Sequence, residues 1–171
     1  MKIILVIGGS RSGKSRYALR RAVPFSRKAF IATALPIDEE MKERIAAHQR
    51  ERDPSFATIE APFALGDAIL SLPKDIEIAV IDCLTVWLGN LMYRHGDSKM
   101  EFSEMEALFR ALRHPPCPLV LVSNEVGLGI VPGDAASRRF RDAAGTLNQR
   151  VASLADEVIF MVSGLPMPLK K

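Results

Sequence analysis

Short apolar runs alternate along the chain with segments in which apolar residues recur every three or four positions. The apolar runs predict strands at Ile3–Ile7, Phe30–Thr33, Ile78–Ile81, Leu119–Ser123 and Val158–Val162. The longer spacing predicts helices over Asp38–Arg50, Leu84–Tyr93 and Glu101–Arg113, and a long helix along the stripe Phe140, Ala144, Leu147, Val151 and Leu154. Strands that alternate with helices in this way predict an α/β fold with a mainly parallel central sheet flanked by helices.

Turn-forming residues mark where regular structure is expected to stop. Flexible segments are predicted at Arg94–Lys99, at Val131–Ala136 around Pro132-Gly133, and in the tail after Gly164. The chain has no internal repeat or low-complexity tract. Its 171 residues, 48% of them hydrophobic, suit a single domain over residues 1–171.

Charge, apolar run length and cysteine content limit which binding partners and which cellular location are expected. The net charge is only +3 and the basic residues are scattered, so no nucleic-acid partner is expected. No apolar run approaches the roughly 18 residues of a membrane span, and the apolar N-terminus is interpreted as the first strand rather than a signal peptide. Cys83 and Cys117 lie in apolar stretches without metal-binding spacing, which predicts reduced, buried thiols and a cytoplasmic location.

The first apolar run leads directly into a glycine-rich segment, where Gly8 is followed by four residues and then by Gly13-Lys14-Ser15. A strand that ends in glycines and opens a helix points several backbone N–H groups at one spot beside the helix's positive end, which suits phosphates. Lys14 is expected to reach the β- and γ-phosphates, and Ser15 to place its hydroxyl on Mg²⁺. The alternative is a glycine-rich turn without a ligand. The strand-then-helix context favours the phosphate site, and with it a P-loop nucleoside triphosphate hydrolase-like fold.

Two acidic residues come directly after predicted strands, at the sheet edge where ligands of such folds bind. Asp82 follows Ile78–Ile81 and is expected to meet Mg²⁺ through water, complementing Ser15. The alternative role for Asp82 is to cap the next helix, and both roles are compatible. Glu125 is a candidate base that would orient or deprotonate an attacking hydroxyl, the alternative being a solvated or capping acid in a turn.

A histidine lies on the predicted helix over Asp38–Arg50. Met41, Ile45 and His48 are spaced by four and three residues, so His48 is expected to share the inward stripe of that helix. A hydrogen-bonded packing histidine is the ordinary interpretation of such a position. The nearby arginines favour a second one, an imidazole that attacks a phosphate and forms a negatively charged intermediate; they are Arg44, Arg50 and Arg52.

Several longer motifs resemble one family over nearly the whole chain. In order, they are GGSRSGKSRYA, FIATA, ERIAAHQRER, TIEAP, IDCLTVWLGNL, LVSNEVGLGIVP and RRFRDAAGTLNQRVASLADEVIFMVSG. This series resembles the bifunctional adenosylcobinamide kinase / adenosylcobinamide-phosphate guanylyltransferase family of cobalamin assembly. The departures are small. Phe56 stands where Trp is usual, and Ala47 stands where some relatives carry a second His.

The resemblance implies a two-step enzyme. It would phosphorylate the aminopropanol hydroxyl of adenosylcobinamide with ATP or GTP, and then transfer GMP from GTP to adenosylcobinamide phosphate through a covalent GMP-histidine. His48 matches the guanylylated histidine of the family, and relatives assemble as trimers, which implies a homo-oligomer here.

The resemblance also implies the nucleotide contacts, with Ser15 and Asp82 at the Mg²⁺. They match Gly8, Gly9, Ser10, Arg11, Ser12, Gly13, Lys14, Ser15, Ala32, Thr33, Ala34, Gln49, Arg50, Glu51, Arg52, Glu60 and Asp82. A carboxylate such as Glu60 could accept hydrogen bonds from guanine N–H groups or from ribose hydroxyls, and the sequence leaves that choice open.

Two other classes of function share part of these features. A single-activity P-loop kinase for a small molecule would use the glycine-rich loop and Asp82 but have no use for His48. A nucleotide-dependent switch or binding module would hydrolyse nucleotide slowly and have no corrinoid acceptor.

Overall fold

The computed structural model describes residues 1–50, 53–96 and 102–171, and of Arg44, Ala47 and His48 only the backbone. Seven strands form one sheet: β1 (Ile3–Gly8), β2 (Lys28–Ala32), β3 (Phe56–Glu60), β4 (Ile78–Asp82), β5 (Leu119–Asn124), β6 (Glu157–Val162) and β7 (Leu165–Lys170). Their order across the sheet is β3-β2-β4-β5-β1-β6-β7. The first six are parallel, and β7 is antiparallel to β6. The carboxyl ends of the parallel strands therefore share one edge, called here the carboxyl edge.

Helices cover both faces of the sheet. They are α1 (Lys14–Ala22), α2 (Glu39–Arg50), α3 (Leu65–Leu70), α4 (Leu84–His95), α5 (Ser103–Arg113) and α6 (Ala135–Leu154). On one face, α3 to α6 enclose the larger apolar cluster, with Trp87 fully buried at its centre. On the other face, Ala18 and Ala22 of α1 pack on a smaller cluster of strand residues. No described residue of α2 belongs to either cluster. The central strands are buried from both sides, which explains their continuous apolar runs.

The structure confirms the α/β fold with a mainly parallel sheet and all five predicted strands. The second strand is displaced, since it begins at Lys28 and ends at Ala32. The helix α4 runs on to His95, and α2 begins at Glu39 because the Asp38 carboxylate accepts a hydrogen bond of 2.7 Å from the Met41 N–H. Helix α5 is described from Ser103, and Glu101 lies outside the described residues.

Three predictions of irregular structure need correction. The tail after Gly164 is not flexible coil but strand β7, because Ser163 and Gly164 adopt positive φ angles of 51° and 82° and turn the chain back along β6. Its two prolines are tolerated since β7 is an edge strand. In 131–136, the last two residues already belong to α6. In 94–99, the first two residues belong to α4, and 97–99 lie outside the described residues.

Besides β7, two further elements were not predicted, β3 and α3. The edge strand β3 is mostly exposed, so its residues lack the continuous apolar run of the central strands. The helix α3 has only six residues, too few to establish a helical period. Cys83 and Cys117 are buried free thiols, as predicted. None of the helices in the described ranges is long and apolar enough to cross a membrane.

Candidate nucleotide site

The glycine-rich loop joins β1 to α1 at the carboxyl edge and is closely packed against the C-terminal hairpin. Gly8 has a φ of 151°, and a Cβ added there would lie 2.5 Å from the Met161 carbonyl oxygen. The Gly164 N–H donates a hydrogen bond of 3.1 Å to the Ser12 carbonyl oxygen. Gly13, with a φ of 92°, is the N-cap of α1. Glycine is therefore required at Gly8 by steric contact and at Gly13 by backbone conformation.

Lys14, the first residue of α1, places its ammonium group inside the loop. Its Nζ donates to the Gly9 carbonyl oxygen at 2.6 Å and to the Ser12 Oγ at 3.4 Å, and the residue is only 7% exposed. Burial lowers the pKa of Lys14, and the negative charge of Asp82 opposes that shift. The loop thus holds a partly desolvated cation beside backbone N–H groups, an arrangement suited to polyphosphate.

Asp82 ends β4, and the residue after it caps the next helix. The Cys83 Sγ accepts a hydrogen bond of 3.4 Å from the Val86 N–H and makes Cys83 the N-cap of α4, so the alternative in which Asp82 caps this helix is wrong. Burial and the neighbouring Asp82 charge raise the pKa of Cys83 to about 12, so the group is a neutral thiol near pH 7. The electrostatic support for the Lys14 ammonium at that pH accordingly comes from Asp82.

The residues proposed to hold Mg²⁺ fit that ion when a nucleotide is bound. Ser15 lies half-buried in the first turn of α1, and the half-buried Asp82 interacts electrostatically with Lys14, one residue from Ser15. No group of three metal-binding side chains occurs within the described ranges. One hydroxyl and one carboxylate are what Mg²⁺ uses when phosphates and water supply its other ligands.

Thr33 follows β2 and is tied to the end of β4. Its hydroxyl donates to the Cys83 carbonyl oxygen at 2.9 Å and accepts from the Cys83 N–H at 2.8 Å, and the residue is fully buried. The Thr33 hydroxyl is therefore committed to the fold. A nucleotide contact along Ala32, Thr33 and Ala34 must use other atoms of this segment.

Asn90 is a residue of this site that the sequence analysis missed. From the second turn of α4, its Nδ2 donates to the Thr33 carbonyl oxygen at 2.8 Å and to the Pro62 carbonyl oxygen at 3.0 Å. It therefore joins the segment after β2, where Thr33 and Ala34 were predicted to contact nucleotide, to the segment that directly follows the predicted contact Glu60. The available signal was a polar side chain among the apolar residues of a buried helix.

Glu60 ends β3 and is exposed at the carboxyl edge. It lines an open cleft of about 470 Å³ together with Phe63, Asp67 and Arg94. The Arg94 guanidinium lies over the Phe63 ring, 4.1 Å from its centroid. The Glu60 carboxylate supplies hydrogen-bond acceptors to this cleft.

Glu125 follows β5, which lies between β4 and β1 in the sheet, so it stands between Asp82 and the glycine-rich loop. Its N–H donates to the Gly8 carbonyl oxygen at 2.9 Å, and its Oε1 accepts from the Gly127 N–H at 2.6 Å. The carboxylate thus makes a turn contact, which was the alternative role predicted for it. Because Glu125 also lies between Asp82 and the glycine-rich loop, it remains a candidate base.

The remaining predicted residues lie on or after α2. Gln49 and Arg50 are exposed at its end, and Met41 and Ile45 are half-buried. The backbone of His48 belongs to α2, but its side chain lies outside the described part of the molecule, as do Glu51 and Arg52. The structure therefore brings the glycine-rich loop, Asp82 and Glu125 together, whereas the inward orientation of His48 remains a prediction.

Truncation of Asn90 tests the bridge between the two segments. In Asn90→Ala, loss of two hydrogen bonds worth about 1 kcal/mol each should raise the Kd for GTP by up to about 30-fold, measured by titration calorimetry. The exposed amide of Gln149 on α6 provides the matched control, since Gln149→Ala should leave this Kd unchanged. An unchanged Kd in the Asn90 variant would show that these segments do not depend on the bridge.

Three comparisons extend these observations. Residues 4–169 match the family model described as "Cobinamide kinase / cobinamide phosphate guanyltransferase". The chain is 44% identical over 167 residues to the "Bifunctional adenosylcobalamin biosynthesis protein CobP" of Pseudomonas aeruginosa, covering 97% of this chain and 96% of that protein. It is 37% identical over 180 residues to the "Bifunctional adenosylcobalamin biosynthesis protein CobU" of Escherichia coli, covering 98% and 99%.

Among solved structures, the RadB recombinase superposes with a TM-score of 0.52 at 15% sequence identity, covering 93% of this chain and 73% of that one. Similarity at this level concerns the fold alone. It confirms the predicted P-loop nucleoside triphosphate hydrolase-like class.

Proposed function

Because the chain belongs to the cobinamide kinase / cobinamide phosphate guanyltransferase family, we propose that it phosphorylates adenosylcobinamide and then transfers GMP to the product, as a bifunctional enzyme of cobalamin biosynthesis. The observation that carries this proposal is the extent of the family match, which runs from residue 4 to residue 169. A shared phosphate loop alone would account only for the first few residues of that range.

In the first transfer, the side-chain hydroxyl of adenosylcobinamide attacks the γ-phosphorus of ATP or GTP. The bond from that phosphorus to the β–γ bridging oxygen breaks, and the nucleoside diphosphate leaves. Lys14 exchanges its Gly9 contact for the β- and γ-phosphate oxygens and stabilises their negative charge. Glu125 accepts the hydroxyl proton, since it stands beside the first glycine of the loop.

In the second transfer, a ring nitrogen of His48 attacks the α-phosphorus of GTP, and pyrophosphate leaves as the bond to the α–β bridging oxygen breaks. A phosphate oxygen of adenosylcobinamide phosphate then attacks the same phosphorus. The P–N bond breaks, which restores the imidazole and forms adenosyl-GDP-cobinamide. Support for His48 comes from the matched motif and from its position on α2, which follows β2 from the carboxyl edge.

Other parts of the proposal rest on the donor set and on resemblance. Ser15 and Asp82 would hold Mg²⁺, which when bound neutralises phosphate charge. We place Glu60, at the rim of its cleft, at the guanine or ribose of GTP. The enzyme would act as a homo-oligomer, a trimer by resemblance. Its two buried free thiols suit the cytoplasm.

The experiment that tests the whole proposal follows the α-phosphate and the γ-phosphate of GTP separately. The protein is incubated with Mg²⁺ and GTP labelled at the α-phosphate, with and without adenosylcobinamide, and in parallel with GTP labelled at the γ-phosphate. We expect acid-labile, alkali-stable α-label on the peptide containing His48, and γ-label on the corrinoid. Transfer of γ-label without protein labelling would indicate a single-activity kinase. Slow hydrolysis without corrinoid labelling would indicate a nucleotide switch.

A further inference from the structure

The segment after β5 exposes a group of large apolar side chains beside the nucleotide site. Residues 126–131 have the sequence Val-Gly-Leu-Gly-Ile-Val and are called here the apolar loop. Leu128 is 79% exposed, Ile130 97% and Val131 61%. Three large aliphatic side chains in so short a stretch form a patch that soluble proteins rarely leave without a purpose.

Hydrogen bonds fix this loop at both ends. At its start, the Glu125 N–H donates to the Gly8 carbonyl oxygen, and the Glu125 carboxylate accepts from the Gly127 N–H. At its end, Arg138 Nη1 donates to the carbonyl oxygens of Pro132 at 2.9 Å and Gly133 at 2.6 Å. The apolar side chains are thus presented by an anchored loop.

The loop begins where the phosphoryl group would be transferred. Asn124 is paired in register with Gly8, the first residue of the phosphate loop. Five residues span at most about 18 Å, so Ile130 lies within that distance of Glu125. A bulky acceptor whose hydroxyl reaches the phosphate loop can therefore contact the apolar loop with another part of the same molecule.

We infer that the apolar loop binds the corrin macrocycle of the acceptor, with Leu128 and Ile130 covering its methyl-rich surface while Glu125 meets the hydroxyl. The inference rests on the proposed function, which supplies a macrocyclic acceptor. A second copy of the chain is the other possible occupant. The loop's few side chains present only a few hundred Å², below the about 800 Å² that each partner buries in a stable protein interface. A patch of this size is too small to hold a second chain by itself.

The test is the double variant Leu128→Ser/Ile130→Ser. Losing two aliphatic contacts should raise the KM for adenosylcobinamide about 10- to 100-fold, with the KM for GTP within twofold of the wild type. Val23→Ser is the matched control. Val23 is 69% exposed at the C-terminal end of α1, toward the amino ends of the parallel strands. Loss of its side chain should change neither KM.

The possible results separate the inference from the function on which it rests. If the wild type turns over adenosylcobinamide and the double variant has the same KM, the inference is overturned and the proposed function stands. If the double variant has a lower molar mass by light scattering than the wild type, the loop lies between copies and the inference is also overturned. If the wild type does not act on adenosylcobinamide, both fail together.

Discussion

His48→Asn should abolish guanylyl transfer while leaving the phosphorylation of adenosylcobinamide within about twofold of the wild type. Asparagine keeps a polar side chain of similar reach at this position of α2, but it has no ring nitrogen that can bond to the α-phosphorus. We expect transfer of GMP to fall on the order of 10³-fold or more. The measurements are protein labelling by α-labelled GTP, formation of adenosyl-GDP-cobinamide, and γ-label on the corrinoid.

The chain offers a matched control in another histidine. His114 is exposed at the C-terminal end of α5, just ahead of the amino end of β5, and His114→Asn should leave both transfers intact. Persistent labelling of the His48 variant would move the nucleophile to another residue, with His95 and His114 the remaining histidines of the chain. Loss of both transfers in a folded variant would make His48 a shared phosphate-binding residue and exclude the covalent route.

Lys14→Ala should depress both transfers by about 10²-fold or more, because one cation meets the phosphates in each. The fold itself should tolerate the change. Burial of the ammonium group is unfavourable because it removes the charge from water, so its loss costs the fold little. Its main hydrogen bond goes to the carbonyl oxygen of Gly9 in the same loop. The comparison is kcat/KM for each transfer alongside the Tm of wild type and variant.

Lys74 is exposed in the segment before β4, near the amino ends of the parallel strands and therefore far from the site. The variant Lys74→Ala loses the same atoms and the same charge as Lys14→Ala. This control should leave both transfers unchanged. If either transfer survives in the Lys14 variant, the corresponding nucleotide binds elsewhere on the protein, and the two reactions do not share one phosphate loop.

The central strands and the phosphate loop could be predicted because their signals are local. β1, β4 and β5 are buried on both faces and therefore appear as uninterrupted apolar runs, and the loop residues are fixed by the backbone geometry that an anion requires. β3 and β7 could not be predicted in this way. They are the two outermost strands of the sheet. Most of their side chains meet solvent, and each strand pairs with one neighbour only.

Parts of the site were hidden for two other reasons. The first is an exception to a local rule: aspartate is among the favoured N-caps and cysteine is not, which favoured Asp82 as the cap, whereas the N-terminus of α4 is capped by the Cys83 thiol. The second is dependence on contacts distant in sequence. Asn90 acts through carbonyl oxygens that come from 57 and 28 residues earlier in the chain. No pattern of spacing within α4 contains that information.

The packing of the glycine-rich loop against the β6–β7 hairpin makes this hairpin part of the support of the loop. Gly8 abuts the Met161 carbonyl oxygen, and the Ser12 carbonyl oxygen receives the Gly164 N–H, so two segments far apart in the chain shape one another. The loop reaches its final shape only when the hairpin is folded against it. Nucleotide binding should therefore weaken whenever the hairpin opens, although the hairpin itself carries no predicted nucleotide contact.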